Sequence, residues 1–246
     1  MNKIFKYYTI ALLFVLTVSF SNFQNNDIKG IVKYKALINT KYVDSFIKDL
    51  EKKEDLPMHI KQGVVDMYRN AQPDEFNLFF KDGKSYYSLI PKLDTDEGYN
   101  IGSKANKNSY FTSTTDIIEE SSYFGNIKHN PLDWEITNNT KKIGKYNCNQ
   151  AIATEKLFSR KGFYYNRQIV AWFTPDIPLS FGPSNYSGLP GLILEIECNM
   201  FSIRAMNIDL SSSKNIVINK PSGKIITEEQ SHKLIKGYMK DSNQED

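Results

Sequence analysis

Apolar and polar residues alternate through most of this chain, and only a few stretches change to a helical spacing. Across 29–38, Val32, Tyr34, Ala36 and Ile38 share one face and Ile31, Lys33, Lys35 and Leu37 the other, which predicts a strand whose first set faces the core. Asn39 and Thr40 break the run. Val43, Phe46, Ile47 and Leu50 then recur at helical spacing within 42–52, and Ile60, Val64, Val65 and Tyr68 within 56–68. Pro57 suits the first turn of the second helix, where its missing N–H costs nothing. Residues 75–90 predict a hairpin turning at Asp82-Gly83, a pair that accepts the positive φ of a type I′ turn.

Residues 91–125 are polar and poorly periodic, which predicts a long loop, mobile over 95–108, with a strand pair inside 109–118. Strands are expected again at 132–137, 145–157, 162–173, 192–198 and 201–210, with an edge strand inside 211–220. Within them Tyr146, Cys148, Gln150 and Ile152 share a face, and Arg167, Ile169, Ala171 and Phe173 alternate with their neighbours. A closing helix is expected at 227–239, with Thr227 and Gln230 placed for a capping box, and a disordered tail at 241–246. Strands joined by short turns, without βαβ alternation, predict a mainly β protein with flanking helices (α+β). The expected architecture is one curved antiparallel sheet, half-barrel-like and covered by helices, with a β-sandwich as the rival.

The first 21 residues carry Lys3 and Lys6, then an apolar run over 9–20, then small residues at Ser19 and Ser21. That order reads as a secretory signal, leaving one domain over 22–240 with no later membrane-spanning stretch. The chain holds 31 basic and 28 acidic residues, and the signal removes two of the basic ones. So even a balance excludes an electrostatic nucleic-acid binder. In an oxidising compartment Cys148 and Cys198 read either as one disulfide or as two separate thiols.

Residues 177–193 pack Pro178, Pro183 and Pro190 with Gly182, Gly188 and Gly191 into a rigid loop before a strand. Gly182 and Gly188 can take positive φ. Ile177, Phe181, Leu189 and Leu192 could plug a core, and the same loop, with Trp134, Trp172, Phe173 and Pro175, could form an apolar mouth for a lipid or peptide. The run Trp172-Phe-Thr-Pro-Asp-Ile-Pro-Leu-Ser-Phe-Gly-Pro, followed by Gly188-Leu-Pro-Gly-Leu-Ile193, resembles the GLPGLI family, secreted or envelope proteins typical of Bacteroidetes. The family's Gly-Tyr-x-Cys-x-x-Ala pattern is matched by Gly144 to Ala151 with one extra residue before Tyr146, while its Gly-Arg before the return strand is absent. The resemblance implies a periplasmic or envelope location and a fold like the half-barrel of periplasmic lipoprotein carriers. It brings no biochemical activity.

Candidate chemistry is sparse. His59, His129 and His232 lack metal-ligand spacing, no metal or cofactor is expected, and each is read as a solvated or locally bonded side chain. Ser180, Ser184 and Ser187 lie outside any Gly-x-Ser-x-Gly. Glu195 and Glu197 share a strand face and could form a carboxylate pair, although a solvated face is the simpler reading. The functional expectation is therefore a non-enzymatic envelope protein binding an apolar ligand or a polypeptide partner. One alternative is an accessory component of an outer-membrane complex, docking through an exposed edge near Phe173. The other is a hydrolase or peptidase-like enzyme using Glu195, Glu197 or His129.

Overall fold

The structure is a computed structural model and describes residues 28–92, 101–121, 125–159, 161–211 and 215–242. The expected signal lies outside the described residues, as do residues 243–246 of the expected tail. The elements run β1 (Gly30–Ile38), α1 (Thr40–Glu51), α2 (Met58–Arg69), β2 (Asp74–Lys81), β3 (Lys84–Leu89), β4 (Ser109–Thr112), β5 (Ile117–Ser121), β6 (Gly125–His129), β7 (Glu135–Ile143), β8 (Tyr146–Phe158), β9 (Tyr164–Thr174), β10 (Leu192–Glu197), β11 (Phe201–Asp209), β12 (Ile225–Thr227) and α3 (Glu228–Ser242).

All twelve strands form one sheet in the order β12-β6-β5-β4-β3-β2-β1-β11-β10-β9-β8-β7, antiparallel throughout except for the β12–β6 pair. β1 sits at the centre, with β2–β6 meandering to one side and β11 back to β7 meandering to the other. The sheet must curl. β6 and β7 are ten strand spacings apart, about 48 Å if flat. Yet only six Cα steps join His129 to Glu135, a span of at most about 22 Å. Thus the mainly β, curved-sheet expectation holds.

Local chemistry explains most elements. Asn39 caps α1 by accepting from the Lys41 amide at 3.0 Å. Asp82 (φ 51°) and Gly83 (φ 69°) form the two-residue turn between paired Lys81 and Lys84. The capping box of α3 is present: the Thr227 amide donates to Gln230 Oε1 at 3.0 Å and the Gln230 amide to Thr227 Oγ1 at 3.3 Å.

Three expectations need correction. Residues 101–108 are packed, because the buried Asp74 carboxylate accepts from both the amide and hydroxyl of Ser103, each at 2.7 Å, and pairs with Lys107. No strand forms in the described part of 211–220, although Ile216 is buried there. The strand holding Phe173 is no edge, since β9 lies between β10 and β8.

The cysteines are separate thiols. Cys148 precedes Asn149, which pairs with Phe173, and Cys198 follows Glu197, which pairs with Val170. That puts them about 10 Å apart across the strands and about 17 Å along them. A disulfide tolerates Cα separations only up to about 7 Å.

The main core fills the inner face of the sheet. Val32, Tyr34, Leu78, Phe80, Ile169 and Phe173 meet Ile177, Leu179, Phe181, Tyr186 and Leu189 of the Pro/Gly loop. The loop is thus a plug. Gly191 permits it: a Cβ there would lie 2.2 Å from the Thr174 carbonyl oxygen. Gly182 does not take positive φ, and the reason for glycine there is contact, a Cβ falling 2.6 Å from the Tyr186 carbonyl oxygen. α1 and α2 form a second small cluster through Val43, Ile47, Leu50 and Val65.

Candidate functional site

Curling brings two charged clusters together from opposite halves of the sheet. On one half, the two-residue alternation and strand register put Tyr87, Tyr110, Glu119 and Ile127 in a row across β3–β6 on the inner face. On the other half, Glu155 shares the inner face of β8 with Ala151 and Ala153, and pairs in register with Arg167 of β9. Glu119, Glu155, Arg167, Tyr110 and Tyr186 line one 260 Å³ pocket.

Each cluster is held tightly. Glu119 accepts from Asn108, from Tyr110 Oη at 3.2 Å and from His129 Nε2 at 2.7 Å. The other ring nitrogen of His129 meets Glu228 Oε1 of α3 at 2.7 Å. Burial pushes the imidazole pKa down, but its bonds to Glu119 and Glu228 override this and hold it at about 9. Burial pushes both carboxyls up, and His129 more than offsets this, so each stays below its ordinary value. Across the pocket, Arg167 grips Glu155 Oε2 through Nε at 3.1 Å and Nη2 at 2.7 Å. The plug loop contributes too: Asn185 Nδ2 donates to Glu155 Oε1 at 3.4 Å, and Tyr186 Oη donates to Oε2 at 3.5 Å.

The pocket adjoins a larger cleft of 760 Å³ sharing Glu119, His129, Glu155 and Asn185 with it. One wall is the end of β6 with Asn130, Pro131 and Leu132, and the other is the end of β8 with Tyr164. α3 spans the gap. It packs on β6 and β12, while its His232 stacks on Phe158 at 4.8 Å and meets Tyr164 Oη at 3.2 Å.

The residues singled out from sequence follow the core-plug reading of the loop. Phe173, Ile177, Phe181 and Leu189 are buried in the core, Gly182, Pro183 and Gly191 are buried in the plug, and Pro175, Pro178, Gly188 and Pro190 are on its exposed side. Phe181 and Gly188 line a neighbouring 450 Å³ cavity that shares Lys128, His129, Asn130 and Pro131 with the cleft. Trp134 Nε1 ties the plug to the linker before β7 by donating to the Ser187 carbonyl at 2.9 Å. Trp172 lies on the outer face, with Lys141 Nζ 4.2 Å above its ring and its Nε1 donating to Glu197.

Glu195 is also on that outer face, 2.9 Å from Lys141 Nζ and 2.7 Å from Arg204 Nη2, so it and His129 never meet in one site. Of the two readings given for His129, it is locally bonded and not solvated. It ends β6 with only 14% of its side chain exposed, and both ring nitrogens are occupied by carboxylates, which leaves no free base. His59 is exposed on α2. Among the described residues no group of three metal-ligating side chains converges, and no helix is long and apolar enough to cross a membrane.

Residues 161–195, which contain β9 and the plug loop, match the family described as "Protein of unknown function (Porph_ging)". No curated protein matches the sequence. Two crystal structures of PNGF-II, in space groups C2 and P21, are similar to the chain at 12% and 13% identity, with TM-scores of 0.45 and 0.48. Each alignment covers 85% of this chain and 32% or 33% of PNGF-II, so the chain spans about a third of that protein's length.

Proposed function

We propose that this is an exported, non-enzymatic protein that binds a polypeptide segment in the cleft between the ends of β6 and β8. The observation that carries this reading is the convergence of Glu119, His129, Glu155 and Arg167 on a pocket that adjoins a larger cleft. Buried charges are costly unless paired, and strongly perturbed ionisable groups gathered in a cleft are a signature of functional sites. Charged groups, amides and tyrosines around the pocket match a peptide better than a lipid chain, and the core that a lipid would need is filled by the plug loop. A randomised hexapeptide library displayed on phage tests the reading. Hexapeptides should be enriched on the wild type and lost on a Tyr164→Ala/His232→Ala variant of unchanged melting temperature. Absence of enrichment, or equal enrichment on that variant, would remove the proposal.

A further inference from the structure

The two long strands at the open side of the sheet do not match in length. β8 pairs with β9 along its full outer half, from Asn149↔Phe173 to Phe158↔Tyr164. On its other side β7 pairs with it only from Ile143↔Tyr146 to Glu135↔Ile152. Beyond Ile152 no described strand lies beside β8 on the β7 side. The chain that could have filled that lane, residues 130–134, crosses from β6 instead, and Pro131 in it has no N–H to give a ladder.

The backbone direction of this free stretch follows from the hairpin. The Ser159 amide donates to the Phe163 carbonyl at 2.8 Å, closing the β8–β9 turn. Bonding direction alternates along an antiparallel strand, so Leu157, Glu155 and Ala153 bond toward β9. Thr154, Lys156 and Phe158 therefore turn their N–H and C=O groups the other way, into the vacant lane. Thr154 and Lys156 are exposed, and the β8 segment 155–158 lines the 760 Å³ cleft. The free edge, Ala153 to Phe158, is six residues and about 20 Å long.

We propose that the cleft takes one extended polypeptide segment as an added strand, hydrogen-bonded to Thr154, Lys156 and Phe158 of β8 in the lane that β7 vacates. This rests on the polypeptide-binding reading above and specifies its geometry. Strand addition draws affinity from the main chain and selectivity from pockets under alternate side chains. Here one set of alternate side chains faces the Glu155–Arg167 pocket, and the other faces the Phe158, Tyr164 and His232 rings. α3 decides the occupant. It reaches across the lane from β6 to Phe158, so a single strand has less to displace on entering than the edge of another sheet would. Lys156 adds the edge charge that discourages sheet-to-sheet pairing.

The test uses the full exported chain and the tightest hexapeptide from the phage selection, remade with a single N-methyl group at each position in turn. Methylation should weaken binding at least tenfold at alternate positions and little at those between. Lys156→Pro should weaken it at least tenfold, because that N–H faces the lane and not β9, so the β8–β9 ladder survives. Thr154→Pro is the second variant should the first fail to fold. A flat N-methyl profile, or unchanged affinity in a folded proline variant, overturns strand addition while leaving peptide binding standing. A peptide-free dimer that Lys156→Pro dissolves overturns it too, by making a second copy the occupant. No hexapeptide binding at all overturns both this mode and the reading beneath it.

Discussion

Raising the pH should loosen α3 through one residue. His129 is clamped between Glu119 of β5 and Glu228 of α3, each at 2.7 Å. Its folded-state pKa lies at about 9 against an ordinary 6.5. A pKa raised in the folded state contributes stability that is fully present below 6.5 and is lost as pH rises through 9. A pKa of about 9 against 6.5, at roughly 1.4 kcal/mol per pH unit, gives about 3 kcal/mol near pH 6.5. With 14% of the side chain exposed, solvent screening reduces this little. The assay is urea unfolding of wild type and His129→Gln at half-unit steps from pH 6 to 10.5. Wild type should be more stable by about 3 kcal/mol near pH 6.5, with the difference shrinking toward zero by pH 10. A pH-independent difference, or an NMR-titrated His129 pKa near 6.5, would refute the clamp.

Other outcomes follow from the same contacts. Gly191→Ala drives a methyl group into the Thr174 carbonyl and should cost about 3 kcal/mol or more, seen as a melting temperature lower by at least about 6 °C. Lys141→Ala strips one of two cations from buried Glu195 and should cost about 1–3 kcal/mol. That loss should largely vanish in a Glu195→Gln background when measured by urea unfolding. Thiol counting without reductant should find two free cysteines after denaturation. In the native protein Cys148, whose thiol burial pushes up to about 11, should label far more slowly than half-exposed Cys198.

Alternation made the central strands legible. Val32, Tyr34 and Ala36 are buried as a set, and the Asp82-Gly83 hairpin falls in its expected register. β6 and β12 were hidden because each is short and sits in a polar stretch, and β12 pairs in parallel with a strand almost a hundred residues earlier. The site had one readable signal. Glu155 continues the apolar face of Ala151 and Ala153, and Arg167 that of Ile169, Ala171 and Phe173, so opposite charges occupy core-facing positions on two strands of one hairpin. What no local pattern reveals is that Glu119 and His129 come to the same pocket, since that depends on the curl of twelve strands. The Pro/Gly loop plugs the core, as one of its two sequence readings expected, while its contribution to the site, Asn185 and Tyr186, had no signal of its own.

The central claim is that the cleft beside the free half of β8 receives a peptide. Backbone amide exchange of the protein saturated with the selected hexapeptide tests it most directly. The amides of Thr154, Lys156 and Phe158 should slow at least tenfold on binding, while those of Ala153 and Glu155, already bonded to β9, should change little. Protection that arises instead along the plug loop, residues 177–189, with those three amides unchanged, would contradict the account.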